Sequence, residues 1–500
     1  MSVEVPTQRA EVIDLHADRQ MRALIVGAGA AGRTLARDIL GVTSLGLLPV
    51  GFVDDEDSLS DLELPLLGPL RDLTEIVIDH HIEVVVLAIP SLPPERFRVL
   101  ALDAARGGAL VRYLPSFLAA LRRDMAGSDL RALDIRALIG RNEMHLVSPE
   151  AQALVKGRRV LVTGAGGSIG SELCRQVNRF GPSKLYMLDH DESNLHRLQL
   201  ELSGEALLDD DGLVVADIRD RGRIHQLFGE LRPDVVFHAA AHKHLPLLEK
   251  HPCEGVKTNV IGTQNLVEAA LWFGVERFIF ISTDKAADPT SVLGATKRLG
   301  ELVVREHSHG AGSFASVRFG NVLGSRGSLL TVISEQLRNG LAVTVTHPDV
   351  TRFFMTIEEA VGLVLEAARM ADRGEVFVLD MGSPVRIVDL VRTFAAQVHL
   401  TDVDIRYTGL RPGEKLNEAL FSEHEVREPT EHEQIFKTCP EEAACTRPHL
   451  FEELEQAAAA NDPARVKAAL RQMLPGYEPA TAMQPVLAGG AAPAPYPDYF

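Results

Sequence analysis

Along most of the chain, short and fully apolar runs alternate with longer stretches whose apolar residues recur every three or four positions. This is the pattern of buried strands joined by amphipathic helices. Arg22-Ala-Leu-Ile-Val26 reads as a buried strand and runs into Gly27-Ala-Gly29-Ala-Ala-Gly32 and a helix over RTLARDIL. A strand in LLPVGFVDD, a helix near 70–80 and a strand over 83–89 (EVVVLAI) follow. Strands alternating with helices predict βαβ units and a parallel sheet, here a first α/β domain over 21–140. The pattern restarts at Arg159-Val-Leu-Val-Thr163, which leads into Gly164-Ala-Gly-Gly167-Ser168-Ile169-Gly170 and a helix over SELCRQVNRF. Further strands are expected at 184–190, 213–218, 234–241, 277–283 and 313–322. The expected fold class is therefore α/β, with two doubly wound parallel-sheet domains, the second over 158–440 and carrying a smaller C-terminal substrate-binding part. Residues 1–20 read as a flexible arm and 141–157 as a linker. Residues 441–475 read as a helical segment that includes PARVKAALRQML, and 476–500 as a low-complexity, flexible tail.

Composition narrows the classes. The 500 residues are 46% hydrophobic and 24% charged, ordinary globular usage that excludes global disorder. A net charge of −18 argues against a nucleic-acid backbone as the main partner, though not against a local basic pocket. The four cysteines, Cys174, Cys253, Cys439 and Cys445, form neither a disulfide framework nor a CxxC pair, so no metal site is expected and a reducing cytoplasm fits. No apolar run reaches the ~18 residues of a membrane helix, and the acidic, mixed N-terminus is no secretory signal.

Both glycine turns follow a strand and open a helix, the context in which backbone N–H groups hold a phosphate. In the first, Asp54 ends the next strand and can take ribose hydroxyls. A nucleotide site and a turn that only packs the helix on its sheet both remain open, because no acid, base or nucleophile pattern lies downstream. The second turn is better supported. Asp189 lies 25 residues past Gly164 and can accept from the ribose 2′ and 3′ hydroxyls while repelling a 2′-phosphate, which favours NAD over NADP. Asp217 and Ile218 are placed to meet the adenine. In His238-Ala239-Ala240-Ala241, small side chains let a flat cofactor lie against backbone. Lys243 and His244 follow at the strand's carboxyl end, where α/β sheets bind ligands; a solvated surface charge is the alternative. Ser282-Thr283-Asp284-Lys285 offers proton-capable groups at another strand end: the Asp as an acid if its pKa is raised, the Lys as a base if its pKa is lowered. An exposed turn with a surface ion pair is the competing reading. Leu293 and Lys297 are four apart on a helix and share a face.

These residues resemble an extended short-chain dehydrogenase/reductase. More narrowly, LVTGAGGSIGSEL, AAAHKHLPLLE, KTNVIGTQNL, STDKAADPTSVLGATKR, RFGNVLGSRGS, THPDVTRFFMTIEEA and TGLRPGEKLNE resemble the bacterial polysaccharide-biosynthesis nucleotide-sugar 4,6-dehydratases that act on UDP-N-acetylglucosamine. The N-terminal α/β domain resembles that of the long members, which usually begin with membrane helices; the sequence is expected to be a soluble, cytoplasmic form that self-associates. The resemblance implies two Rossmann-like domains and a redox-neutral dehydration. Hydride leaves C4 for NAD⁺, the 4-keto group acidifies the C5 proton, water leaves from C6, and the hydride returns there. Asp284 then corresponds to the acid for the leaving hydroxyl, Lys285 to the base at C5, and Thr283 to a hydrogen-bond partner near the 4-hydroxyl. Lys297 corresponds to the group that orients the ribose. Lys243, His244 and Asn259 are carried over as substrate contacts, Asn321 as a contact of the diphosphate region, and Arg352 and Arg411 as pyrophosphate cations, although either arginine alone could be an ordinary ion-pair partner.

One position departs from the superfamily. Leu293 stands where a tyrosine acid/base is usual, and leucine cannot accept the C4-hydroxyl proton, so an ordered water held by Thr283 would have to relay it. Long members of the family have methionine here and mostly resemble retaining enzymes, so retention at C5 is expected. The alternatives are a UDP-sugar 4-epimerase and a nucleotide-binding protein with an inactive site.

Overall fold

The computed structural model describes residues 21–41, 47–55, 64–89, 94–113, 131–132, 147–204, 208–308, 312–323, 325, 329–339, 341–397, 403–439, 448–474 and 476–477. The expected arm (1–20) and nearly all of the expected tail lie outside the described residues. The chain divides into two compact units, one of Met1–Asn142 with Thr393–Asp402, the other of Glu143–Arg392 with Val403–Phe500. Among the described residues no helix is long and apolar enough to cross a membrane.

The first unit is a six-stranded sheet of β1 (Met21–Val26), β2 (Leu47–Val53), β3 (Leu66–Gly68), β4 (Val84–Leu87), β5 (Leu110–Tyr113) and β6 (Arg131–Ala132) in the order β3-β2-β1-β4-β5-β6. All neighbours are parallel except the β5–β6 pair. Helices α1 (Ala30–Gly41), α2 (Leu73–Asp79) and α3 (Pro94–Arg106) connect the strands. Ala23 to Val26 are fully buried, which is why β1 reads as an unbroken apolar run rather than an alternating one. Separate apolar clusters cover the two faces of the sheet.

The second unit opens with α4 (Pro149–Val155), a capped, anchored helix within the stretch expected to be a linker, whose residues 141–146 lie outside the described residues. Ser148 caps α4, and its N–H and hydroxyl both donate to Glu366. Ala151 and Val155 sit in the main core. In chain order follow β7 (Arg159–Thr163), α5 (Ser168–Arg179), β8 (Lys184–Asp189), α6 (Glu192–Ser203), β9 (Leu213–Val215), α7 (Arg221–Leu231), β10 (Val235–His238), α8 (Gly262–Trp272), β11 (Arg277–Ile281), α9 (Val292–Glu306), β12 (Ser313–Arg318), α10 (Ile357–Met370), β13 (Arg373–Leu379), β14 (Glu428–Pro429) and β15 (Ile435–Thr438). The nine-stranded sheet runs β14-β15-β13-β12-β11-β10-β7-β8-β9, parallel from β13 to β9, with β15 antiparallel on both sides. The strand order reverses between β7 and β10, and at such a switch point the loops leaving the strands' carboxyl ends part and leave a crevice. Most of the expected strands end one to three residues early, because the segments after β9, β10 and β11 turn away to line that crevice.

The helical segment expected at 441–475 is two helices, α11 (Pro448–Ala459) and α12 (Pro463–Met473), and they belong to the core. Leu450, Leu454, Val466, Leu470 and Met473 form one cluster with Leu293, Leu299 and Leu302 of α9. Tyr477, at the start of the expected flexible tail, is 2% exposed in the same cluster, so the tail cannot begin at 476.

A buried charge network joins β12 to α9. Fully buried Arg318 donates to both oxygens of Glu301 at 3.1 and 2.8 Å and to Glu425 at 2.7 Å. Arg298 reaches the same two carboxylates. Burial pushes the Glu425 carboxyl up, but the hydrogen bonds and charges of Arg318 and the charge of Arg298 outweigh it and hold it down to about 2. Replacing Arg318 by methionine leaves the buried Glu301 and Glu425 with Arg298 as their shared cation and should cost about 3–5 kcal/mol in a urea titration. A loss below about 1 kcal/mol, the scale of a surface pair, would show that the network does not secure α9.

Candidate active site

The turn after β7 is built around two close approaches. Gly164 has φ +67°, and a Cβ there would lie 2.6 Å from the backbone of Ala240; a Cβ on Gly170 would lie 2.0 Å from the Gly164 carbonyl oxygen. Only glycine lets the turn press against β10's outgoing loop and lets α5 start tightly beneath it. The Asp189 carboxylate braces the turn, accepting from the Gly166 N–H at 2.9 Å and the Asp191 N–H at 3.0 Å. The first unit repeats this device: the Ala28 N–H donates to Asp54 at 2.7 Å.

A pocket of about 220 Å³ lies against this turn, lined by Gly164, Gly167, Asp189, Asp217, Ile218, Ala239 and Ala240. It shares Gly167, Ala239, Ala241 and His242 with a cleft of about 540 Å³. Ser168, Ile169 and Gly170, on the first turn of α5, line the cleft together with Lys243, His244, Thr283, Lys285, Leu293, Lys297 and Asn321. One elongated groove therefore gathers most of the residues singled out in the sequence. Asp217 lies two residues past the end of β9, and its carboxylate is held below its usual range chiefly by hydrogen bonds from Arg219, whose guanidinium it grips at 2.6 Å.

The Ser282–Lys285 segment is pinned by backbone bonds, Ser282 N–H to Val317 and Asp284 N–H to Phe319. Thr283 and Lys285 face the cleft. Asp284 is completely buried beneath them and accepts from the Thr283 hydroxyl and the Lys285 ammonium, both at 2.9 Å on Oδ1. This excludes the exposed-turn reading. It also corrects the expected state of Lys285: burial lowers its pKa, but the charges of Asp284 and Glu418 outweigh burial and the net shift is upward, so at rest Lys285 is an ammonium ion. Lys297 differs. Burial, only partly offset by Glu301, takes it down to about 7, while its Nζ donates to the Ile281 carbonyl at 2.5 Å and lies 4.0 Å from the centre of the Phe280 ring. Leu293, one helical turn before Lys297, lines the same wall.

Three of the expected contacts are not among the residues that line the pocket or the cleft. Asn259 lies in a short π-helical turn (Lys257–Ile261), 1% exposed, and its amide exchanges hydrogen bonds with the N–H and C=O of His242. It shapes the loop after β10. Arg352 spends its guanidinium on Glu414 at 2.8 Å and on the carbonyls of Thr351 and Leu416. Arg411 is exposed, and neither arginine lines the pocket or the cleft.

Several participants were not singled out. Glu301 accepts from the Ser282 hydroxyl at 2.6 Å, and Glu418, within the quoted stretch TGLRPGEKLNE, lies 4.0 Å from Lys285. His238 is fully buried between Thr163 and Thr263 at 2.8 and 2.9 Å. Thr263 donates its own proton to the Asn259 carbonyl, so the imidazole carries hydrogen on Nε2 and accepts on Nδ1. Burial lowers its pKa and keeps it neutral. Among the described residues no group of three or more His, Cys, Asp or Glu could hold a metal ion.

Residues 160–440 match the family model described as polysaccharide biosynthesis protein. The chain belongs to this family. This polysaccharide biosynthesis protein is 42% identical to the probable polysaccharide biosynthesis protein EpsC of Bacillus subtilis, over 83% of this chain and 70% of that protein. It is 30% identical to a UDP-N-acetylglucosamine 4,6-dehydratase (inverting) of Campylobacter jejuni, over 57% of this chain and 84% of that one. Similarity of the same depth, 31% over 54% and 79%, reaches a UDP-glucose 4-epimerase of Rickettsia rickettsii. Among solved structures, Pen from Bacillus thuringiensis superposes with a TM-score of 0.52 at 32% identity, covering 57% of this chain and 88% of that one.

The Lys297 ammonium should titrate near pH 7, against ~10.4 for a free lysine. Competitive acetylation of the folded protein across pH, read by mass spectrometry, measures this directly; a midpoint above ~10 would mean that water reaches Nζ.

Proposed function

We propose that this protein catalyses the NAD-dependent 4,6-dehydration of UDP-N-acetylglucosamine to a UDP-4-keto-6-deoxy-N-acetylhexosamine with retention at C5. The carrying observation is the hydrogen-bonded trio Thr283–Asp284–Lys285, its Asp284 buried, at the floor of a cleft that continues into a glycine-turn pocket. The C. jejuni relative named as a 4,6-dehydratase supports the same reaction class.

The groove suits a dinucleotide. Gly164, Gly167 and the backbone N–H groups at the start of α5 form a cradle for a pyrophosphate, in a turn whose tight course only glycine at 164 and 170 permits. Asp189 meets the adenosine ribose and its negative charge disfavours a 2′-phosphate; Asp217 and Ile218 flank the adenine; Ala239 and Ala240 leave room for a flat ring against backbone; Lys297 reaches the nicotinamide ribose. The bound nicotinamide supplies the hydride acceptor. The chain's own side chains manage protons. Thr283 holds the C4 hydroxyl or its relay water in place of the missing tyrosine and is already bonded to Asp284. Asp284 lies beneath the cleft, so the proton it supplies to the leaving hydroxyl at C6 passes through the Thr283 hydroxyl that it bonds, and Lys285, once it has shed its proton, serves C5. Lys243, His244 and Asn321 line the side where the sugar nucleotide lies.

An epimerase is the second reading, favoured by the R. rickettsii relative. Leu293 in the tyrosine position and the Asp284–Lys285 pair speak against it.

Incubation with UDP-N-acetylglucosamine and NAD⁺ should give a product lighter by one water. A mass-neutral isomer supports the epimerase, and no change supports an inactive binding protein. Asp284→Asn and Lys297→Ala should each lower turnover by about 10²-fold or more; undiminished product formation by either removes that residue's role. Proton NMR of product formed in D₂O reads the C5 configuration.

A further inference from the structure

Glu418 is buried, with its side chain 2% exposed, in the segment that follows Arg411. Its Oε1 lies 4.0 Å from the Lys285 Nζ and its Oε2 3.9 Å from the Lys415 Nζ. Oε2 has no hydrogen-bond partner, and neither does the Oδ2 of Asp284. Lys285 therefore has two buried carboxylates beside it, one hydrogen-bonded at 2.9 Å and one held back, with the Asn321 amide oxygen 3.2 Å away on the cleft side. The other charges that face this group are Arg352, itself paired to Glu414, and Lys415, whose Nζ donates to the Ala287 carbonyl. A buried carboxylate oxygen without a partner is costly. A separation of 4.0 Å is too long for a hydrogen bond, so the Lys285–Glu418 contact is not optimised as a structural ion pair. It is close enough to become one after a shift of about 1 Å.

We propose that Glu418 is a positioning residue for Lys285: a second carboxylate that holds the ammonium ion at the cleft floor and accepts its proton when Lys285 turns to act as a base. In that step one N–H bond of Lys285 breaks, an O–H bond forms on Glu418, and the electron pair stays on Nζ. The pair passes from ammonium and carboxylate to amine and carboxylic acid without a change in its net charge, and no proton has to come from or go to solvent. Burial raises the affinity of Glu418 for a proton, which favours the same direction. This proposal rests on the reading of Lys285 as the base at C5, and it resolves the conflict between that role and the resting ammonium.

The test separates the two. Competitive acetylation of the full chain with acetic anhydride across pH, without any ligand, reads the Lys285 midpoint in wild type, Glu418→Gln and Glu418→Asp. Removing an anion beside the ammonium should lower the midpoint by about 1–2 units in Glu418→Gln, and Glu418→Asp, whose carboxylate is drawn back by one carbon, should fall between. If the Gln variant does not fold, the Asp variant carries the comparison. With UDP-N-acetylglucosamine and NAD⁺, Glu418→Gln should lower kcat by about 10–100-fold with little change in KM, and Glu418→Asp should recover part of it. An unchanged Lys285 midpoint in a folded variant overturns the proposal, as does a shifted midpoint with undiminished kcat. A shifted midpoint in the variants together with no turnover by the wild-type protein sinks the dehydratase reading and leaves the hold of Glu418 on Lys285 standing.

Discussion

Glu301 is the carboxylate on which the geometry of the site hangs. It lies four residues past Lys297 on α9, accepts the Ser282 hydroxyl one residue before Thr283, and is clamped by Arg318 from β12. The helix that carries Lys297 and the strand end that carries Thr283, Asp284 and Lys285 are thus registered against each other by one side chain. Such a contact is worth little as net stability, because both charges leave water to make it. Its value is directional: a bidentate guanidinium admits few arrangements, so the two segments cannot slide past one another.

The same interior produces two lysines of opposite character within one cleft. Lys297 has its positive charge over an aromatic face and against a carbonyl, with Glu301 occupied by Arg318, and burial wins. Lys285 is less deeply placed and has two carboxylates within 4.0 Å, and charge wins. Chemistry that needs a proton donor and a proton acceptor side by side can be built from such a contrast, since environment rather than residue type sets each role.

What the chain's one-dimensional pattern reveals follows from what is local. Val160 to Val162, the turn at 164–170 and the alanines at 239–241 announce themselves because burial and tight turns constrain neighbouring residues. The STDK segment is equally visible, yet its spacing does not say that Asp284 is sealed beneath Thr283 or that Lys285 stays charged, a state set first by the buried Asp284 and then by Glu418, more than a hundred residues away. Arg352 and Asn259 illustrate the converse. As single letters they look like ligand contacts; that Glu414 bonds the one and the backbone of His242 the other is not legible, because only folding brings those partners near. The helices at 448–473 were visible as helices. Their place in the core was not, because an amphipathic face does not name what covers it.

That last feature sets the size of the working unit. The family match ends at 440, but the apolar back of α9 (Leu299, Leu302) is roofed by α11, α12 and Tyr477. A shortened protein cut at the boundary of recognisable similarity would bare a greasy strip directly behind Lys297 and let solvent in beside the one lysine whose behaviour depends on staying dry. The smallest self-sufficient catalytic body therefore reaches at least to Tyr477.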